Sequence, residues 1–110
     1  MENSYVQKVA LDFVQALKAS AEYREYEMQL EKIKRQPELH ERVNEFRQKN
    51  FMIQNTENTD EIMDRMDELE QEYEELREIP LVDDFLKAET SFCRMMQWID
   101  RFVTEELDFQ

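Results

Sequence analysis

The sequence contains no glycine, two prolines and a single cysteine among its 110 residues. A chain of this length would ordinarily contain about eight glycines, since glycine makes up roughly 7% of protein sequences. Glycine provides the left-handed backbone of tight hairpin turns and of loops that bind phosphate groups. Its absence excludes most β-sheet architectures and glycine-rich nucleotide sites, and it favours long helices.

Other absences concern the compartment and the class of partner. Cys93 is the sole cysteine, so no disulfide can form within the chain. No apolar run approaches the roughly 20 residues that span a bilayer, and the N-terminus lacks a basic-then-apolar signal pattern. The net charge of −13 disfavours direct binding to nucleic acid or to an anionic membrane surface. We therefore expect a cytoplasmic protein that binds neither.

The sequence offers no catalytic or metal-binding constellation. His40 is the only histidine, whereas carboxylate-bridged di-iron bundles require two Glu-x-x-His motifs. Cys93 by itself cannot hold zinc or an iron–sulfur cluster. No serine or cysteine has a histidine partner at a suggestive spacing. We expect a protein that is not an enzyme and that has no cofactor, metal or small-molecule substrate.

Apolar residues recur at alternating spacings of three and four, which is typical of amphipathic helices. The pattern predicts five helices, at about residues 5–19, 21–35, 37–54, 59–78 and 80–107. Ser20 is a predicted N-cap, Pro37 and Pro80 suit first helical turns, and Asn55-Thr56-Glu57-Asn58 is the predicted loop. The predicted fold is all-α: a single domain, residues 1–110, forming an elongated antiparallel helical bundle with coiled-coil-like seams.

The fifth predicted helix carries two neighbouring apolar seams. The first consists of Phe85, Ala88, Phe92, Met95, Ile99 and Phe102. The second, which Glu89 and Asp100 interrupt, consists of Val82, Leu86, Cys93, Met96, Val103 and Leu107. About 28 helical residues form a rod near 42 Å long, which exceeds the diameter of a compact globular domain of this chain length. We infer that one seam packs within the chain and predict the second as an oligomer interface.

Three sets of residues in or near these seams invite interpretation, namely the cysteine, two carboxylates and the methionines. Cys93 is predicted to be a small buried residue. Glu89 and Asp100 either are buried carboxylates that fix pairing or lie at the seam's edge beside Lys87 or Arg101. The seven methionines of the chain form either an adaptable binding surface or core filling.

Negative charge concentrates in residues 57–84, which hold thirteen acidic residues against Arg65 and Arg77. The predicted acidic face of the fourth helix comprises Asp64, Asp67, Glu68, Glu74, Glu75 and Glu78. Such a face either docks a basic partner or is a solvated surface that keeps the protein dispersed. Charge alone does not distinguish the two.

Several short strings, taken in order, resemble the YlbF/YmcA (YheA-like) family of small bacterial helical proteins. They are Ala16-Leu17, Ser20-Ala21-Glu22-Tyr23, Pro37, Phe46-Arg47, Leu86-Lys87-Ala88-Glu89, Met95-Met96 and Ile99. The match covers nearly the whole chain. It offers Glu22, Tyr23, Phe46, Arg47, Ala88 and Glu89 as structural or interaction positions.

The resemblance implies an all-helical, oligomeric protein without enzymatic activity. Members of the family regulate competence, sporulation and biofilm formation, within a heteromeric complex that influences the endoribonuclease RNase Y. Some bind iron–sulfur clusters through C-terminal cysteines, which this chain lacks. The expected function is an adaptor that works by helix–helix contact with itself, related family members or an endoribonuclease complex. A holdase-like chaperone, an oligomer with no role in RNA processing and a metal or cluster sensor are the alternatives.

Overall fold

A computed structural model describes residues 4–55 and 59–108, and every element within them is a helix. The helices are α1 (Ser4–Lys18), α2 (Ala21–Lys34), α3 (Pro37–Gln54), α4 (Thr59–Arg77) and α5 (Pro80–Leu107). The all-α prediction is confirmed, and each predicted helix end lies within one residue of the observed end. Of the predicted loop, Asn55 follows α3, and residues 56–58 lie outside the described part of the chain.

The helix junctions use serine, proline and asparagine in place of glycine. Ser20 is an N-cap of α2: its Oγ accepts a hydrogen bond from the Tyr23 backbone N–H at 3.1 Å. The same hydroxyl donates to the Leu17 carbonyl at 2.6 Å, which ties the end of α1 to the start of α2. Pro37 lies in the first turn of α3, and α2 ends before it, so α2 and α3 are two separate helices and not one helix kinked at the proline.

The chain divides into two compact units. The central unit is Gln29–Leu86, and the terminal unit comprises the described residues up to Met28 together with those from Lys87 onward. Helices α2 and α5 contribute residues to both units.

The central unit holds most of the buried apolar side chains. They are Ile33, Val43, Leu69, Leu76, Val82 and Phe85. Phe46 of α3 stacks on Tyr73 of α4 at 5.4 Å between ring centroids, and Lys49 Nζ lies 3.3 Å from Glu72 Oε2. Phe46 precedes Lys49 in α3, whereas Tyr73 follows Glu72 in α4. The two contacts therefore run in opposite directions along the helices, and α3 and α4 form an antiparallel hairpin.

The terminal unit has a much thinner core. Phe92 of α5 packs against two α2 side chains, Tyr23 at 5.6 Å and Tyr26 at 5.5 Å between ring centroids. Ala88 is buried. None of the described α1 side chains is buried, although α1 is strongly amphipathic.

We predict that Ser20→Ala destabilises the protein by about 1 kcal/mol, because the Tyr23 N–H loses its acceptor at the start of α2. Ser91→Ala, at an exposed position inside α5, is the matched control and is expected to be neutral or slightly stabilising. Urea unfolding at one fixed protein concentration measures both. Equal midpoints for the two variants would show that the Ser20 hydroxyl contributes nothing.

Candidate protein-interaction surfaces

Helix α1 has an apolar face that other described parts of the chain leave accessible. Val9, Phe13 and Val14 lie on this face, and their exposed fractions are 48%, 43% and 41%. Leu17, at the end of the same face, is half-buried. Apolar positions spread over this much of a helix circumference normally pack against another helix.

The C-terminal part of α5 has a second accessible apolar face. Met96, Val103 and Leu107 have exposed fractions of 37%, 46% and 71%. On a different side of the same helix, Trp98 stacks on Phe102 at 5.3 Å between centroids, and both rings remain about half exposed to solvent. Apolar and aromatic side chains in contiguous exposed patches mark interaction surfaces on soluble proteins.

The structure separates the six residues predicted for the oligomer interface. Met96, Val103, Leu107 and Cys93 are exposed, and Leu86 is half-buried. Val82 is completely buried in the central unit, so it belongs to the protomer's own core and we reassign it there. The other predicted seam is also divided, because Phe85 and Ala88 are buried whereas Phe102 is 48% exposed.

Cys93 of α5 differs from its predicted surroundings, whereas the exposure of Asp100 fits the interpretation that it lies at the seam's edge. Cys93 is exposed, so the prediction of a buried cysteine is wrong for the single protomer. Asp100 is exposed as well, and its carbonyl accepts a hydrogen bond from the Thr104 hydroxyl at 2.8 Å. Glu89 is half-buried. The wide apolar arc of α5 therefore remains mostly uncovered beyond its first turns.

The six side chains of the predicted acidic face of α4 are all exposed; they are Asp64, Asp67, Glu68, Glu74, Glu75 and Glu78. Basic partners on this helix are sparse: Arg65 lies 3.8 Å from Glu61 in an exposed pair one helical turn apart. The negative potential of the face is therefore mostly uncompensated locally.

An open groove of about 530 Å³ lies between α3 and α4 in the central unit. Phe46 and Ile53 line it from α3, and Met66, Leu69 and Tyr73 line it from α4. Met66 is 53% exposed although it lies on the apolar seam of α4, which consists of Ile62, Met66, Leu69, Tyr73 and Leu76. This groove was not predicted, and the only signal for it in the sequence is that carboxylates border the apolar seam of α4.

The family-matched positions mainly serve packing. Tyr23 contacts Phe92, Phe46 stacks on Tyr73, and Ala88 is buried. The Arg47 guanidinium lies over the Phe85 ring, 5.4 Å from its centroid. Glu22 and Glu89 are half-buried. The contacts of Tyr23, Phe46 and Arg47 and the burial of Ala88 are packing within the protomer.

Arg77 fastens the end of α4 to the start of α5. Its Nε donates to Asp83 Oδ1 at 2.9 Å, and its guanidinium lies 5.6 Å from the Tyr73 ring centroid. The hydrogen bond that Arg77 donates to Asp83, and then the attraction of that carboxylate, raise the pKa of Arg77 above its ordinary value. A raised pKa adds stability that is lost as pH rises through it, so deprotonation of Arg77 removes this contribution only in strong alkali.

We predict that Arg77→Ala lowers stability more than Arg65→Ala, because Arg77 joins two helices whereas Arg65 pairs within one exposed helix face. Arg77→Lys should fall between them, since lysine keeps the charge but lacks the planar guanidinium and its Nε–H. Urea midpoints order the three variants. If Arg65→Ala were the more damaging, the junction would not depend on Arg77.

The described residues include no cluster of metal ligands. Among them, no group of three or more histidine, cysteine, aspartate or glutamate residues is arranged to hold a metal ion. No described helix combines the length and the apolar character needed to cross a membrane. The accessible features are helix faces and the α3–α4 groove.

These features define a small all-α protein. Residues 6–108 match the model of a family described as control of competence regulator ComK, YlbF/YmcA. The chain belongs to this family, which confirms the resemblance seen in the sequence, and the family assignment gives it a regulatory role. No curated protein and no solved structure matches the chain.

Proposed function

We propose that the protein is a non-enzymatic, cytoplasmic adaptor that regulates by helix–helix contact within an oligomer. The observation that carries this proposal is the exposure of apolar faces on α1 and on the C-terminal part of α5, both in the terminal unit. A second copy of the chain, or a related family member, is the proposed cover for these faces.

The energetics support association. Fully burying a valine, leucine, phenylalanine or methionine side chain contributes about 1.5–3 kcal/mol. Val9, Phe13, Met96 and Val103 each retain 37% to 48% of their surface in water. A protomer alone therefore forgoes a large part of the hydrophobic stabilisation that its sequence encodes, and pairing with a complementary helix face recovers it.

The regulated process follows from the family. Family membership supports a part in the control of competence. The resemblance further supports work within a heteromeric complex of family members that influences RNase Y and mRNA processing. The negative charge, −13 overall, favours an effect on RNA through a protein partner and not through direct contact.

We predict that Val103→Glu dissociates the oligomer, because a carboxylate would have to be buried in an apolar interface. The penalty of about 2 kcal/mol or more corresponds to a dissociation constant raised more than tenfold. Met96→Glu should act in the same direction. Sedimentation equilibrium over a range of protein concentrations measures the change.

Met63→Glu is the matched control, since Met63 is 69% exposed on α4 and lies outside the terminal unit. It makes the same change from apolar side chain to carboxylate and should leave the assembly intact. An unchanged mass for Val103→Glu and Met96→Glu, or a monomeric parent protein at micromolar concentration, would refute the proposed interface.

An adaptor also differs from a holdase in how it selects partners. Mixed with a purified family member and the endoribonuclease, the protein should form a complex of fixed stoichiometry on gel filtration. With unfolded model clients such as reduced α-lactalbumin it should neither form complexes nor suppress aggregation. Broad protection of unfolded clients, without a stoichiometric complex, would contradict the adaptor.

A further inference from the structure

We infer that the α3–α4 groove is a docking site for a basic amphipathic helix of a partner protein. This inference deepens the proposed adaptor function and rests on it, since it names the chemistry of a partner. The groove belongs wholly to the central unit and is distinct from the apolar faces of α1 and late α5.

The floor of the groove is apolar and adaptable. The stacked rings of Phe46 and Tyr73 form one end of it, and Ile53 and Met66 extend it along the hairpin. Met66 is 53% exposed, so its flexible, polarisable side chain is available to fit an incoming apolar residue. Grooves between two helices that are lined in this way accept the apolar side of a third helix.

The rim of the groove determines the charge of the occupant. Among the described lining residues the charged ones are Asp67 and Glu70, both carboxylates on α4. Glu74 follows at a spacing that continues the same side of the helix. A partner helix with lysine or arginine beside its apolar stripe would place those cations against this row, which aids encounter and orientation.

The opposite side of the hairpin lacks this selectivity. The cleft there is lined by Lys49 and Arg65 as well as by Glu68 and Glu72, and Lys49 already pairs with Glu72 at 3.3 Å. Mixed charge at that cleft favours neither a basic nor an acidic helix. A basic helix is therefore better matched in charge by the groove with the Asp67 and Glu70 rim.

A second copy of this chain is a poorer occupant. Helix α1 is strongly amphipathic and has no buried side chain among its described residues, and its charged residues are Lys8, Asp12 and Lys18. Its small net positive charge complements the rim weakly, and its apolar face is the one we assign to oligomer assembly. The groove is therefore assigned to a basic helix from a different protein.

Binding of a labelled 18-residue leucine–lysine peptide, measured by fluorescence anisotropy, tests the inference. The peptide is amphipathic as a helix, and a second peptide of the same composition with its leucines spread around the helix is the probe control. The first should bind at least about tenfold more tightly than the second, and its affinity should fall with added salt. Equal binding of both peptides would overturn the inference.

Paired variants locate the site. Asp67→Lys with Glu70→Lys should weaken peptide binding about tenfold, since both rim carboxylates become cations. Asp64→Lys with Glu75→Lys makes the same change in net charge at exposed α4 positions that do not line either groove, and it should have a much smaller effect. Equal losses from both pairs would mean diffuse attraction to an acidic helix, with no site.

A methionine pair tests the apolar floor. Met66→Ser should weaken binding several-fold, whereas Met63→Ser, at a similarly exposed position outside the groove lining, should not. Sedimentation of the same samples separates this inference from the oligomer proposal. A parent protein that forms the oligomer but does not bind the peptide would contradict the groove alone, and a smaller assembly in the Asp67 and Glu70 variant would assign the groove to a second copy.

Peptide binding by Val103→Glu completes the separation. If the groove is a property of the hairpin, this variant should bind the peptide with the affinity of the parent protein whether or not it dissociates. An affinity that falls together with the assembly would show that the groove does not act as an independent site.

Discussion

The need to cover apolar helix faces governs this protein. The central unit meets that need from within, because Ile33, Val43, Leu76 and Phe85 are almost completely removed from water. The terminal unit does not, because α1 contributes no buried side chain among its described residues. Hydrophobic burial is the main driving force of folding and of most association, so unmet burial in one unit directs the chain toward other chains. Regulation by contact is a natural use of such a fold.

Charge acts on a different part of the molecule. The carboxylates of α4 lie beside a groove whose floor is apolar, so the central unit combines a buried core with the surface that we propose selects a partner by its charge. Surface charges of this kind contribute little to stability in high dielectric, and we expect the same of the exposed Arg65–Glu61 pair. Their stronger effect is on which partners approach and at what rate. Retaining so many like charges along one helix is understandable if they also repel nucleic acid and acidic proteins.

The sequence predicted local structure well and the covering of its surfaces less well. Helix ends were predictable because Ser20, Pro37 and Pro80 impose backbone restrictions that do not depend on distant residues. The burial of each apolar position was not predictable. A spacing of three and four residues indicates that a helix face packs against something, but it does not show whether that is the same chain or another. Val82 and Val103 occupy the same predicted seam, yet one is buried in the protomer and the other is 46% exposed. The groove was missed for a related reason: Met66 fits the seam by spacing but lies where α3 and α4 leave a gap.

The two kinds of surface also differ in what an oligomer does for them. The proposed association through α1 and late α5 would consume those faces, whereas each protomer added to the assembly would contribute another α3–α4 groove. When a partner offers two basic helices, the second contact becomes intramolecular, and avidity then exceeds single-site affinity by about 10²–10⁴ if the spacing permits both. A groove of modest affinity is then sufficient for a stable complex, yet each individual contact remains weak enough to exchange. Assembly and selection would reinforce each other in this way, and a regulator built from five helices needs no catalytic centre to respond to the concentration of its partners.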